Sequence, residues 1–123
     1  MEFQDQAIAA RGAAVELATL NRAQKDNALH SMADALAAAE PDLLEANQVD
    51  VANARTAGTE ESIVDRLTLT PDRIAGMVQG LRDLANLPDP VGDVVRGWKL
   101  PNAVSVRQVR VPFGVVGIIY EAR

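Results

Sequence analysis

The sequence predicts an α/β protein with a helical front followed by strands, and three observations carry that prediction. Alanine and valine separate along the chain: residues 1–57 hold 17 of the 21 alanines, and residues 91–123 hold 9 of the 14 valines. Alanine is the best helix former, whereas β-branched valine suits a pleated, half-buried surface. The apolar periodicity changes in the same direction, from spacings of three and four to alternation. Finally, Val115-Val116-Gly117-Ile118-Ile119-Tyr120 is apolar without alternation, as expected of a strand buried on both faces of a parallel sheet.

Composition narrows the class further. The 123 residues suffice for one domain with its own core. With 48% hydrophobic and 24% charged residues the chain is globular, which excludes a disordered or fibrous protein. No apolar run approaches the roughly 20 residues of a membrane-spanning helix, so no membrane is expected. The start, Met1-Glu2-Phe3-Gln4-Asp5, lacks the basic and apolar stretches of a signal peptide, and a cytoplasmic protein is the expectation. The absence of cysteine excludes a disulfide framework, a thiolate metal site and a thiol nucleophile within these residues. The net charge of −5 divides into −8 over residues 1–90 and +3 over residues 91–123. An acidic body cannot displace counterions from a phosphate backbone, so no nucleic acid is expected, and the basic tail reads as solvated strand faces.

The elements follow in order. Phe3, Ala7, Ala10, Ala14 and Leu17 recur at helical spacing and, widened by Ile8 and Val15, predict a first helix from Phe3 to Leu20. A second begins at Asn21, with Gln24 completing a capping-box pattern, and turns Leu29, Met32, Leu36 and Ala39 to the core. Pro41 ends it and opens a third, where Leu43, Leu44, Val51 and Ala54 form the buried stripe and Gly58 the left-handed C-cap. Asn47 falls inside that stripe. A buried amide must find partners, and a tertiary cap on a neighbouring loop outweighs a ligand contact. A short helical turn is expected from Glu60 to Leu67, capped by Thr59. Thr70-Pro71-Asp72 combines an N-cap, an N1 proline and a first-turn carboxylate, with Ile74, Val78, Leu81 and Ala85 facing inward. Gly76 and Gly80 imply close packing of that helix.

Leu87-Pro88-Asp89-Pro90-Val91-Gly92 ends helical structure. A hairpin follows: Val94 to Leu100, a Pro101-Asn102 turn, then Val104 to Val111. The apolar phase of the return strand switches between Val106 and Val109, which predicts a bulge near Arg107 or Gln108. The final apolar strand needs a crossover and a partner, which the residues up to Arg123 do not supply. The sequence therefore reads as the front end of a larger α/β protein, truncated at its first central strand.

Little here carries chemistry. His30 has no second His or Cys at metal-ligand spacing and reads as an ordinary helix residue. Glu60, Glu61 and Asp89 read as caps or loop charges, Trp98 as an interface or core anchor, and Gly114-x-x-Gly117 is not a dinucleotide fingerprint. The polar residues after the apolar strand, Tyr120-Glu121-Ala122-Arg123, sit where open α/β sheets bind ligands, at the carboxyl end of a parallel strand.

The stretch Arg110-Val111-Pro112-Phe113-Gly114-Val115-Val116-Gly117-Ile118-Ile119-Tyr120-Glu121-Ala122-Arg123 resembles the start of the cofactor domain in the gamma-glutamyl phosphate reductase family of the aldehyde dehydrogenase superfamily. Asp65-Arg66-Leu67-Thr68-Leu69-Thr70, Leu87 to Gly92, Gly97-Trp98 and Ala46-Asn47 with Asp50-Val51 are similar to that family too. The resemblance implies a Rossmann-like sheet of aldehyde dehydrogenase type. Residues 1–90 would be the helical part of the cofactor-binding domain, 91–112 an oligomerisation hairpin and 113–123 the first strand of the sheet. It implies NADPH-dependent reduction of L-glutamate 5-phosphate to L-glutamate 5-semialdehyde and phosphate in proline biosynthesis, through a cysteine thioester that these residues cannot form. Ile119, Tyr120 and Glu121 would line the cofactor cleft, Arg123 would hold phosphate or carboxylate, and no residue here is catalytic. A homo-oligomer built through the hairpin, with glutamate 5-kinase as a further partner, completes the expectation. The alternatives are a non-catalytic helical interaction module, or another superfamily member with a different acyl substrate.

Overall fold

The computed structural model describes residues 3–119, as five helices and one antiparallel hairpin. They form two compact units, residues 23–87 and residues 3–22 together with 88–119.

In the first unit, α2 (Arg22–Ala38), α3 (Glu40–Thr56), α4 (Glu61–Leu67) and α5 (Pro71–Asn86) enclose a small apolar core. Ala33, Ile74 and Val78 are its buried centre, with Leu36, Leu43, Leu44, Leu69 and Leu81 packed around them. The helical spacing of Ile74, Val78, Leu81 and Ala85 is thus the stripe that α5 buries. On α2 the inward face runs through Leu29, Ala33 and Leu36, while Met32 is exposed. Pro41 lies in the first turn of α3, where its missing N–H costs nothing. That helix ends in a Schellman motif: Thr59 N–H donates to the Ala54 carbonyl at 3.0 Å and Gly58 N–H to that of Arg55 at 3.0 Å. Gly58 has φ +75°, a left-handed backbone that a side chain would strain.

Glu60 and not Thr59 occupies the N-cap position of α4, without a side-chain capping bond, because the Schellman turn uses Thr59 to close α3. The connector to α5 is held from both sides. Asn47 Nδ2 donates to the Leu67 carbonyl at 2.9 Å, and its Oδ1 accepts from Leu69 N–H at 2.7 Å. The buried amide is therefore a tertiary cap, as its place in the stripe predicts. From the other side, Arg73 donates to the carbonyls of Asp65 and Thr68 and to the Asp65 carboxylate. Thr70 Oγ1 accepts from Arg73 N–H at 3.2 Å, the N-cap expected of Thr-Pro-Asp. An ion pair at 3.2 Å, Arg82 to Asp34, links α5 to α2. Gly76 and Gly80 meet nothing within 4 Å of where a Cβ would stand, so the close packing expected of them is absent among the described residues.

The second unit contains α1 (Phe3–Leu17) and the hairpin of β1 (Val94–Lys99) and β2 (Ser105–Val109). α1 ends three residues before the expected Leu20 and buries no residue: Phe3, Ile8, Val15 and Leu17 all remain exposed. The hairpin turn is Leu100-Pro101-Asn102-Ala103. Ala103 N–H donates to the Leu100 carbonyl, and Leu100 N–H to that of Val104, both at 2.9 Å. Ala103 closes it at φ +67°, a conformation unfavourable for an L-residue.

The bulge lies on β1, not on β2: Val94 pairs with Val109 and Arg96 with Gln108, leaving Val95 unmatched. Both hairpin faces are open apart from half-buried Val106, so no buried face forces β2 to realign its valines.

The segment from Val115 onward departs most from expectation. Among the described residues it forms no strand, and Val115, Val116, Ile118 and Ile119 are exposed. A parallel strand draws its order from flanking strands and covering helices, and residues 3–119 provide neither. The described architecture is five helices with a two-stranded antiparallel sheet, and a Rossmann-like sheet is not part of it.

Candidate functional site

The residues that could meet a ligand lie in the second unit, around the irregular stretch that follows the hairpin. Gly92 N–H donates to the Arg110 carbonyl at 3.0 Å and Arg110 N–H to that of Asp93 at 2.9 Å, so backbone pairing continues one step past β2 and then stops. Pro112 and Phe113 follow, and Gly114 turns the chain at φ +83°. Phe113 projects at 96% exposure between two open grooves. One, of about 660 Å³, runs along the alanine face of α1 past Ala7, Arg11 and Ala14 to Val115; the other, of about 690 Å³, lies against Val91, Val95 and Val109. Both are mainly apolar.

Ile119 stands fully exposed, outside any helix or strand. Tyr120, Glu121 and Arg123 lie outside the described residues. Of the expected cofactor and substrate residues, Ile119 is thus the one among the described residues.

The other candidates have structural employment. His30 is exposed on α2, and the described residues contain no group of three His, Cys, Asp or Glu that could hold a metal ion. The Glu60 carboxylate accepts from Ser62 Oγ at 2.9 Å. Glu61 pairs with Arg55 at 2.7 Å, and the hydrogen bond from that guanidinium holds its carboxyl below the usual range while raising the arginine. Asp89 accepts from Val91 N–H at 3.1 Å, closing the loop into the hairpin.

Two side-chain pairings escape simple sequence reading. Arg73 reaches back across the α4–α5 connector, and that reach depends on the angle between the helices, which no local pattern encodes. The Arg96 guanidinium carbon lies 4.7 Å from the Trp98 ring centroid. This pair did leave a signal, since residues two apart on a strand share a face.

No family model matches the chain. The gamma-glutamyl phosphate reductase of Cutibacterium acnes is 55% identical to it over 119 residues, which cover 97% of this chain and 29% of that protein. This chain is a homologue of the gamma-glutamyl phosphate reductases. The enzyme of that name from Thermobifida fusca is 53% identical over 114 residues, covering 93% of this chain and 27% of its own length. Crystal structures of the gamma-glutamyl phosphate reductases of Thermotoga maritima and Saccharomyces cerevisiae match with TM-scores of 0.87 and 0.82, each at 35% identity. Each match covers 91% of this chain, and 27% and 29% of the two reductase chains respectively. The chain thus spans less than a third of the length of the reductases it matches. No helix among the described residues is long and apolar enough to cross a membrane.

Proposed function

We propose that this chain is the amino-terminal part of a gamma-glutamyl phosphate reductase, which reduces L-glutamate 5-phosphate to L-glutamate 5-semialdehyde and phosphate in proline biosynthesis. The observation that carries the proposal is the 55% identity over 97% of the chain to a protein of that name. The chemistry of such a reduction divides the work. Phosphate leaves an acyl phosphate easily once a thiolate attacks, and a thioester is electrophilic enough to be reduced. The chain contains no cysteine, so the nucleophile is contributed from outside these 123 residues. NADPH supplies the reducing equivalent when bound. Residues 3–119 offer no strand, glycine turn and helix to cradle its pyrophosphate, so no step through it is assigned to them.

Within this reading the apolar segment from Val115 becomes the first strand of the cofactor sheet once neighbours flank it. Ile119, Tyr120 and Glu121 then line the cofactor cleft, and Arg123 binds the phosphate or carboxylate of the substrate through a bidentate guanidinium. The hairpin associates with another subunit, glutamate 5-kinase supplies the labile acyl phosphate, and both act in the cytoplasm. The test is to purify the full-length natural protein and follow NADPH consumption with L-glutamate 5-phosphate, alongside phosphate-dependent oxidation of the semialdehyde. Turnover of both, with simple aldehydes inert, is the expected result. Oxidation of simple aldehydes without any turnover of the acyl phosphate would overturn the substrate assignment.

A further inference from the structure

Helix α4 is too short to hold itself. An isolated helix of fewer than about 12 residues is marginal in water, and α4 has seven, with the β-branched Ile63 and Val64 among them. No side chain caps its N-terminus. Its one buried residue is Val64, and the rest of its support comes through its C-terminal carbonyls.

The last four carbonyls of a helix lack partners within it. Thr68 N–H closes the final turn of α4 on the Val64 carbonyl at 2.9 Å, which leaves the carbonyls of Asp65, Arg66, Leu67 and Thr68. Those of Asp65, Leu67 and Thr68 accept from side chains of two other helices. Asn47 on α3 donates to Leu67, and Arg73 on α5 donates to both Asp65 and Thr68. By contrast α3 closes its own end, with the backbone of Gly58 and Thr59.

The same two residues fix the chain beyond the helix. Leu69 N–H, outside any helix or strand, donates to Asn47 Oδ1 at 2.7 Å. Arg73 N–H donates to the Thr70 hydroxyl that starts α5. Asn47 therefore ties the joint to α3, and Arg73 ties it to α5. The two clamps depend on each other, because their acceptors belong to one turn of backbone. Freeing either lets that turn unwind and withdraws the carbonyls from the other.

We infer that α4 and its connector form a strap between α3 and α5, ordered by Asn47 and Arg73 together and released in a single step. While closed, the strap couples the two longer helices; once either clamp is lost, residues 61–69 open and α5 stays folded.

Native-state hydrogen exchange of the full-length natural protein tests this. In the unaltered protein the Leu69 amide should share the protection of the Val64 and Thr68 amides to within about threefold, although it lies in a connector. The decisive amide is Val64, which donates to the Glu60 carbonyl at 3.0 Å, a bond that neither clamp touches. Asn47→Ala and Arg73→Gln should each speed its exchange about tenfold or more beyond any change at Val78 in the middle of α5. Together they should achieve less than the product of the two single effects. Arg73→Lys keeps the charge without the guanidinium fork and should fall between. Arg73 keeps 43% of its side chain exposed, so Arg73→Gln folds and reads the strap even where Asn47→Ala does not.

A Leu69 amide exchanging at the rate of an unprotected loop overturns the strap. So do substitutions that speed Val78 as much as Val64, since the unit would then open only as a whole. Single effects that multiply in the double variant overturn the dependence of one clamp on the other.

Discussion

The two units of this chain both carry periodic apolar patterns, yet only one satisfies itself. In residues 23–87 the periodic apolar positions meet one another around Ile74, the buried amide of Asn47 finds both partners, α3 closes in a Schellman turn and α5 opens on the Thr70 cap. In residues 3–22 and 88–119 an equally periodic helix buries nothing, and an apolar run of strand-forming residues stands in water. Amphipathic pattern therefore specifies a face that needs covering; whether it is covered depends on what else is present.

The contrast can be broken most forcefully at its centre. Ile74→Ala removes a fully buried side chain and should cost about 3 kcal/mol in urea unfolding, whereas Ile8→Ala on α1 should stay within about 0.5 kcal/mol. Equal effects would show that the two units do not differ as described. Asn47→Ala comes next. It strands the Leu67 carbonyl and the Leu69 N–H, and a loss of about 2 kcal/mol is expected, measurable in the same way. In the second unit, Ala103→Gly should stabilise, because glycine accepts the left-handed turn; about 0.5–1 kcal/mol is expected, read as slower amide exchange along β1 and β2.

The smallest effect concerns the Arg55–Glu61 pair. Glu61 titrates lower when folded, so its stabilisation is present above the unfolded-state carboxyl pKa and is lost as pH falls through the folded value. Arg55→Gln should raise the Glu61 midpoint toward the ordinary carboxylate range in an NMR titration.

These differences also explain what could be read in advance. The start of α5 at Thr70-Pro71-Asp72, the left-handed Gly58 and the Pro101-Asn102 turn were legible because each is fixed by a few neighbouring residues. Asn47 was legible as a tertiary cap because a polar residue inside an apolar stripe allows few alternatives. The bulge was displaced to Val95 because the valine phase of β2 constrains register only if one face is buried. The glycines of α5 misled for a related reason: their spacing permits close approach but does not supply the approaching partner. Arg73 escaped notice because its partners are chosen by the crossing of α4 and α5.

The double clamp on the connector between α4 and α5 has a consequence for how this molecule is cut. Trypsin needs several residues of backbone free to enter its groove, and exposure of an arginine is not enough. The bond after Arg66 is tied through Leu67 and Leu69 to Asn47 and through Thr68 to Arg73, so it yields only when helices around it open. The bond after Arg110 is held by two main-chain hydrogen bonds, Gly92 N–H to the Arg110 carbonyl and Arg110 N–H to that of Asp93, at the open end of a marginal hairpin, and yields more readily. A brief digest should therefore sever the hairpin's trailing segment long before it touches the helical unit.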